Sequence, residues 1–299
     1  MSKIRYSILA ALLILACGCS WNSSPDSPEF TDTLTPGSGK MVYTGYAPLQ
    51  HKPVVVHYYI PEGASMANMP ILFVFPGTNR NANDYLNAWK TNASYKRVMV
   101  FALEFPKEHY SSSQYIEGGM FSGGKLNPEE AWSFSIIEPL FDFIREQTGN
   151  RSATYDLWGH SAGAQFVHRM VIFKRDLRLR KAVSSNAGWY TVPDEAVAYP
   201  YGLKGSPATG ASALRSMMDK PLIVHLGTAD IDPNDSSLNT TEGAMKQGPH
   251  RYARGTHFFA ESQRIATANG ITPRWTKAEK AGVAHEFVKM ADDAASLLY

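Results

Sequence analysis

From about residue 40 onward, short apolar runs rich in β-branched and aromatic residues alternate with longer stretches of helical spacing. Residues 71–75 (ILFVF) and 98–103 (VMVFAL) are unbroken apolar runs, the first stopped by Pro76-Gly77. Runs of this length suit strands covered on both faces. Residues 41–46 and 54–60 read as an opening antiparallel pair. Asn127, Pro128 and Glu130 together form a helix start. Ile136, Ile137, Leu140, Phe141 and Ile144 follow at helical spacing, with Pro139 expected to kink that helix. Further on, strands are predicted over 155–158, 182–185, 222–226 and near 273–275, and helices over 164–173, 257–268 and 286–298. Strands alternating with helices predict an α/β architecture, a mostly parallel central sheet with helices on both faces.

Composition adds few constraints. The 299 residues are 44% hydrophobic and 19% charged, ordinary for a globular chain. Without Lys3 and Arg5 the acidic and basic residues balance, and no Lys/Arg stripe interrupts the chain. Charge therefore argues against a nucleic-acid partner. The only two cysteines, Cys17 and Cys19, lie near the start, so the rest of the chain has no disulfide and no thiolate metal site.

The first residues, MSKIRYSILAALLILACGCS, place a short basic region before an apolar run over 8–16 that is too short to span a bilayer. Small residues and cysteine close the segment. It resembles a bacterial lipoprotein signal, with Cys17 read as the lipidated residue and Cys19 as the alternative. That implies an exported, membrane-anchored protein, periplasmic or at the cell surface, whose partner through the N-terminal lipid is a bilayer. Residues 20–38 are rich in Ser, Pro, Thr and Asp and read as a tether. The expected organisation is a signal and lipidation site over 1–19, a tether over 20–39 and one folded domain over 40–299.

Between the strand YDLW and the helix AQFVHRM lies Gly159-His160-Ser161-Ala162-Gly163. This is G-x-S-x-G at a strand-to-helix turn, the setting in which a strained elbow exposes a serine hydroxyl. Side chains two residues either side would collide across the turn, so glycine is required there. The Ala162 N–H falls at a helix N-terminus, where it can stabilise a developing oxyanion.

The GHSAG elbow, together with FVFPGTNRNANDY, SSNAGWY and LGTAD, resembles the α/β-hydrolase superfamily over nearly all of the chain after residue 40. The resemblance is nearest to the esterase branch of polyhydroxybutyrate depolymerases, feruloyl esterases and acetyl xylan esterases. It implies a serine nucleophile, then an acid, then a histidine base, in that chain order. Of the histidines at useful distance after Ser161, His225 lies inside a strand, His250 in QGPHRY and His257 in a helical stretch. His285 follows Gly282-Val283-Ala284 in the loop where this fold places its base. Asp230 fits the family's acid at the turn after LIVHL, with Asp232 and Asp235 as rivals. The run D-I-D-P-N-D lacks the turn glycine and terminal glutamate of a calcium-binding loop. Where the family often has His-Gly after the third strand, this chain has Pro76-Gly77. Thr78 N–H is the expected second oxyanion donor and Gly77 N–H the alternative, since Pro76 cannot donate.

Trp189 and Tyr190, just past a strand end, are expected to line a substrate pocket, and Tyr85 and Trp89 are further candidates. Residues 190–220 fit neither period and are expected to cap the site. The chemistry implied is acyl transfer from an ester to water, on a polysaccharide or polyester, with no metal or organic cofactor. A peptidase of the same superfamily and an inert glycan-binding lipoprotein on this fold are the alternatives.

Overall fold

The computed structural model describes residues 33–299. The expected signal, Cys17, Cys19 and most of the expected tether lie outside the described residues. Within the range expected for the tether, Leu34 joins the core and a strand opens at Gly37.

Ten strands are described: β1 (Gly37–Tyr43), β2 (Val54–Ile60), β3 (Ile71–Phe75), β4 (Met99–Glu104), β5 (Phe121–Ser122), β6 (Lys125–Leu126), β7 (Tyr155–His160), β8 (Leu179–Ser185), β9 (Leu222–Gly227) and β10 (Trp275–Lys280). β5 and β6 form a small separate hairpin, and the rest make an eight-stranded sheet of order β1-β2-β4-β3-β7-β8-β9-β10. β2 is antiparallel to both neighbours, and from β4 to β10 every pairing is parallel. All five residues of β3 are fully buried. Their side chains alternate between two cores, Ile71, Phe73 and Phe75 in one and Leu72 and Val74 in the other. An unbroken apolar run is what this two-sided burial demands, and each such side chain stabilises by about 1.5–3 kcal/mol.

α1 (Ala82–Lys96) and α8 (Phe287–Leu298) cover one face. α3 (Ile137–Thr148), α4 (Ala162–Phe173), α5 (Ala211–Met218) and α7 (Arg251–Ala268) cover the other; the short α2 (Ser112–Ile116) and α6 (Glu242–Met245) lie in loops. The helix expected from Asn127 begins only at Ile137, after two 3₁₀ turns. Pro139 is therefore in the first helical turn, where its missing N–H costs no bond and makes no kink. β10 extends beyond 273–275 to Lys280; its TKAEK sequence suits a half-exposed edge strand.

Candidate active site

The parallel strands all end on one side, and the singled-out polar residues lie in the loops that leave those ends. Ser161 stands between β7 and α4 with φ 57° and ψ −116°. A non-glycine residue held there costs of order 1–3 kcal/mol. The flanking glycines explain how the turn is tight enough to hold it. A Cβ on Gly159 would stand 2.3 Å from the Gly163 carbonyl oxygen, and one on Gly163 would stand 1.9 Å from that of Phe75. The Ser161 amide donates to the Ser185 carbonyl at 3.0 Å, tying the elbow to the end of β8.

Ala162 opens α4, so its N–H is among the first-turn amides without an intrahelical acceptor. Thr78 borders the same space from the loop after β3. That loop is closed by Arg80 N–H donating to Gly77 O at 3.0 Å and held by the Tyr115 hydroxyl donating to Pro76 O at 2.7 Å. The Gly77 amide lies beside the Tyr85 hydroxyl. Thr78 N–H has no hydrogen-bond partner among the described residues.

Asp230, in the turn after β9, is 4% exposed, and its Oδ2 accepts from His285 Nδ1 at 2.7 Å. That bond places the ring proton on Nδ1 and leaves Nε2 as the basic nitrogen. The other Asp230 oxygen faces Arg251 Nη1 at 3.5 Å. Neither rival acid meets His285. Asp232 is exposed and accepts from the Asn234 amide. Asp235 pairs with Arg251 at 3.0 Å and accepts from Ser237, contacts that hold its carboxyl well below the usual range. Ser161 and His285 border one cleft, and no hydrogen bond joins their side chains.

The His160 ring packs on that of His285, centroids 4.5 Å apart, and its Nδ1 meets the Tyr85 hydroxyl at 3.1 Å. Burial, helped by His285, pushes the His160 imidazole well below its ordinary range. A neutral ring therefore flanks His285.

Two clefts meet at Ser161. One of about 410 Å³ is bordered by Ala162, Gln165, Trp189 and Arg251. The other, about 300 Å³, is bordered by His285, Tyr85 and Phe287, the last two stacked 4.3 Å apart at 9°. Thr78 and Ser237 border both.

Trp189 borders the larger cleft. Tyr190 does not: it is fully buried and stacks on Phe258, because consecutive side chains leave the chain in different directions and this one turns into the core. Tyr85 lines the smaller cleft, whereas Trp89 is buried edge-on against Trp158. No residue of 190–220 borders either cleft; Ser236, Ser237, Leu238 and Asn239 do so instead. His250 caps α7, and His257 lies on that helix beside a separate cavity. His225 is buried in a second trio, with Ser185 Oγ at 2.8 Å and Asp293 Oδ2 at 3.0 Å. Among the described residues no group of three or more His, Cys, Asp or Glu is placed to hold a metal ion.

Sequence reasoning missed Arg80, Tyr115 and Arg251. Burial of a guanidinium at Arg80 and Arg251 is visible only once the fold brings distant partners to them.

No protein-family model matches the chain, and no curated protein does. Solved structures do. Poly(aspartic acid) hydrolase-1 from Sphingomonas sp. KT-1 is 42% identical with a TM-score of 0.84, over 88% of this chain and 99% of that one. The poly(3-hydroxybutyrate) depolymerase LpqC from Bordetella parapertussis is 27% identical with a TM-score of 0.83, over 89% of this chain and 90% of that one. The siderophore hydrolase EstB from Aspergillus nidulans, at 12% identity and a TM-score of 0.56 over 89% and 96%, shares the fold. On the strength of the 42% identity across that relative, the chain belongs to the α/β-hydrolase family of hydrolytic enzymes.

Proposed function

We propose that this chain is a serine hydrolase that cleaves carboxylic esters, polysaccharide-linked acyl groups or a polyester, through an acyl-enzyme on Ser161. The observation that carries the reading is the strained Ser161 elbow bordering one cleft with a histidine already bonded to a buried carboxylate. His285 takes the Ser161 proton as the hydroxyl attacks the carbonyl. The Thr78 and Ala162 amides receive the oxyanion, and Asp230 stabilises the imidazolium. His285 then protonates the leaving alcohol, which places the alcohol in the smaller cleft and the acyl part in the larger. Water, activated by His285, releases the acid. The open Ser161–His285 contact is compatible with this, since such bonds often tighten only once substrate is bound.

The likeness to poly(aspartic acid) hydrolase-1 favours a second reading, in which the same groups cut the amide links of an anionic polymer. Residues 1–20 further support an exported lipoprotein acylated at Cys17 or Cys19, open to test by labelling with radioactive palmitate in Cys17→Ser and Cys19→Ser chains.

A fluorophosphonate probe tests the core of the reading. The wild-type chain is labelled and Ser161→Ala is not; equal labelling of both removes Ser161 from the mechanism. Acyl esters, poly(3-hydroxybutyrate) and poly(aspartic acid) compared side by side then separate the two readings.

A further inference from the structure

Asn186 follows β8 with φ 50°, a left-handed conformation that asparagine tolerates better than most residues, and it is 1% exposed. Three of its polar groups are bonded to neighbouring strand ends and loops. Its amide donates to the His225 carbonyl at 2.9 Å. Its side-chain Oδ1 accepts from the Gly227 amide at 2.7 Å, three residues before Asp230. Its Nδ2 donates to the Ala284 carbonyl at 3.1 Å, directly before His285. The residue before it, Ser185, receives the Ser161 amide.

We infer that Asn186 is a positioning residue for the reaction: one carboxamide joins the acid-bearing turn to the base-bearing loop, at the strand end that also anchors the nucleophile. The inference rests on the acyl-enzyme reading above. The two loops also touch without it, through Ala229 N–H to Val283 O at 2.9 Å. Loss of the carboxamide therefore loosens the relative placement of Asp230 and His285 while the fold stands. A misplacement of about 1 Å costs about 10²-fold in rate.

Asn186→Gly keeps the left-handed backbone accessible and removes the clamp. Asn186→Asp keeps the volume and the contact with Gly227, and sets an oxygen against the Ala284 carbonyl. Both are expected to lower kcat by about 10- to 10²-fold with little change in KM, to slow fluorophosphonate labelling of Ser161 equally, and to remain folded, Asn186→Asp with the lower melting temperature because its buried carboxylate faces the Ala284 carbonyl without a donor. In an Asp230→Asn background, Asn186→Gly adds little further loss, because the alignment it serves is already gone. Wild-type kcat in both variants overturns the inference. So does an equal fractional loss in the two backgrounds, or unfolding of both variants, which would mark the clamp as purely structural. A wild-type chain that the probe does not label removes the acyl-enzyme reading first; a labelled wild type with an equally reactive Asn186→Gly removes this inference alone.

Discussion

Arg80 lays its guanidinium over the Tyr115 ring, 3.8 Å from the centroid, while its Nη1 donates to the Phe105 carbonyl at 2.9 Å. Through its own amide Arg80 closes the turn on Gly77, and Tyr115 holds Pro76 by its hydroxyl. The pair thus grips both ends of the loop that presents Thr78. The arrangement has a cost, since Arg80 is a non-glycine residue at φ 59° and its cation is buried.

Arg80→Met is expected to lose about 2 kcal/mol of stability, the scale of a desolvated cation–π contact. It should also lower kcat, by less than the ~10²–10³-fold that follows outright loss of an oxyanion donor. Denaturant unfolding and steady-state rates on one ester check both.

Asp230→Asn should lower kcat by about 10⁴-fold, because the amide no longer holds the His285 tautomer that leaves Nε2 basic. Asp232→Asn, which alters only an exposed turn, should leave kcat unchanged. Equal losses in the two variants would displace Asp230 as the acid.

Gly163→Ala is expected to cost more than about 3 kcal/mol, at or past the upper end of overpacking penalties. The added methyl meets the backbone of β3 rather than a side chain that can swing away. Urea unfolding measures it, and a wild-type midpoint would mean that β3 can shift.

His225 sets a pH dependence of stability. Burial pulls its pKa from 6.5 down to about 4 in the folded chain, so the unfolded chain binds more protons between those values. Stability therefore falls as pH drops from about 6.5 to about 4, by about 3 kcal/mol from this residue. His160 and His168, also pushed down by burial, act in the same direction. Melting temperature followed across that range should decline, and less steeply in His225→Gln.

Much of this was legible in the chain because it is local. ILFVF is a strand on any reading of five consecutive apolar residues, and GHSAG declares its turn through two glycines that pack against backbone. Asp230 and His285 are named through the resemblance, which implies an acid after that strand and a base in the loop before the last helix; the 55 residues between them carry no local sign of their contact. The errors have the same root. Asn127 and Pro128 look like a helix start, yet the backbone takes 3₁₀ turns first because Trp132 and Phe134 must reach the core. Trp189 and Tyr190 are equally aromatic, and only the packing of Phe258 turns the second inward. Asn186 carries no local sign of its part, since its partner at Ala284 is 98 residues away.

Ser185, His225 and Asp293 make a second trio of the same three residue types, joined by bonds of 2.8 and 3.0 Å. Its hydroxyl also receives the Trp158 indole N–H at 2.9 Å, and both Ser185 and His225 are sealed from solvent. Sealed in this way, the trio faces neither of the clefts at Ser161. Its work is mechanical: Asp293 lies on α8, so the bond to His225 rivets that helix to the sheet. Because α8 starts two residues after His285, the buried rivet also serves as the footing for the loop that carries that imidazole.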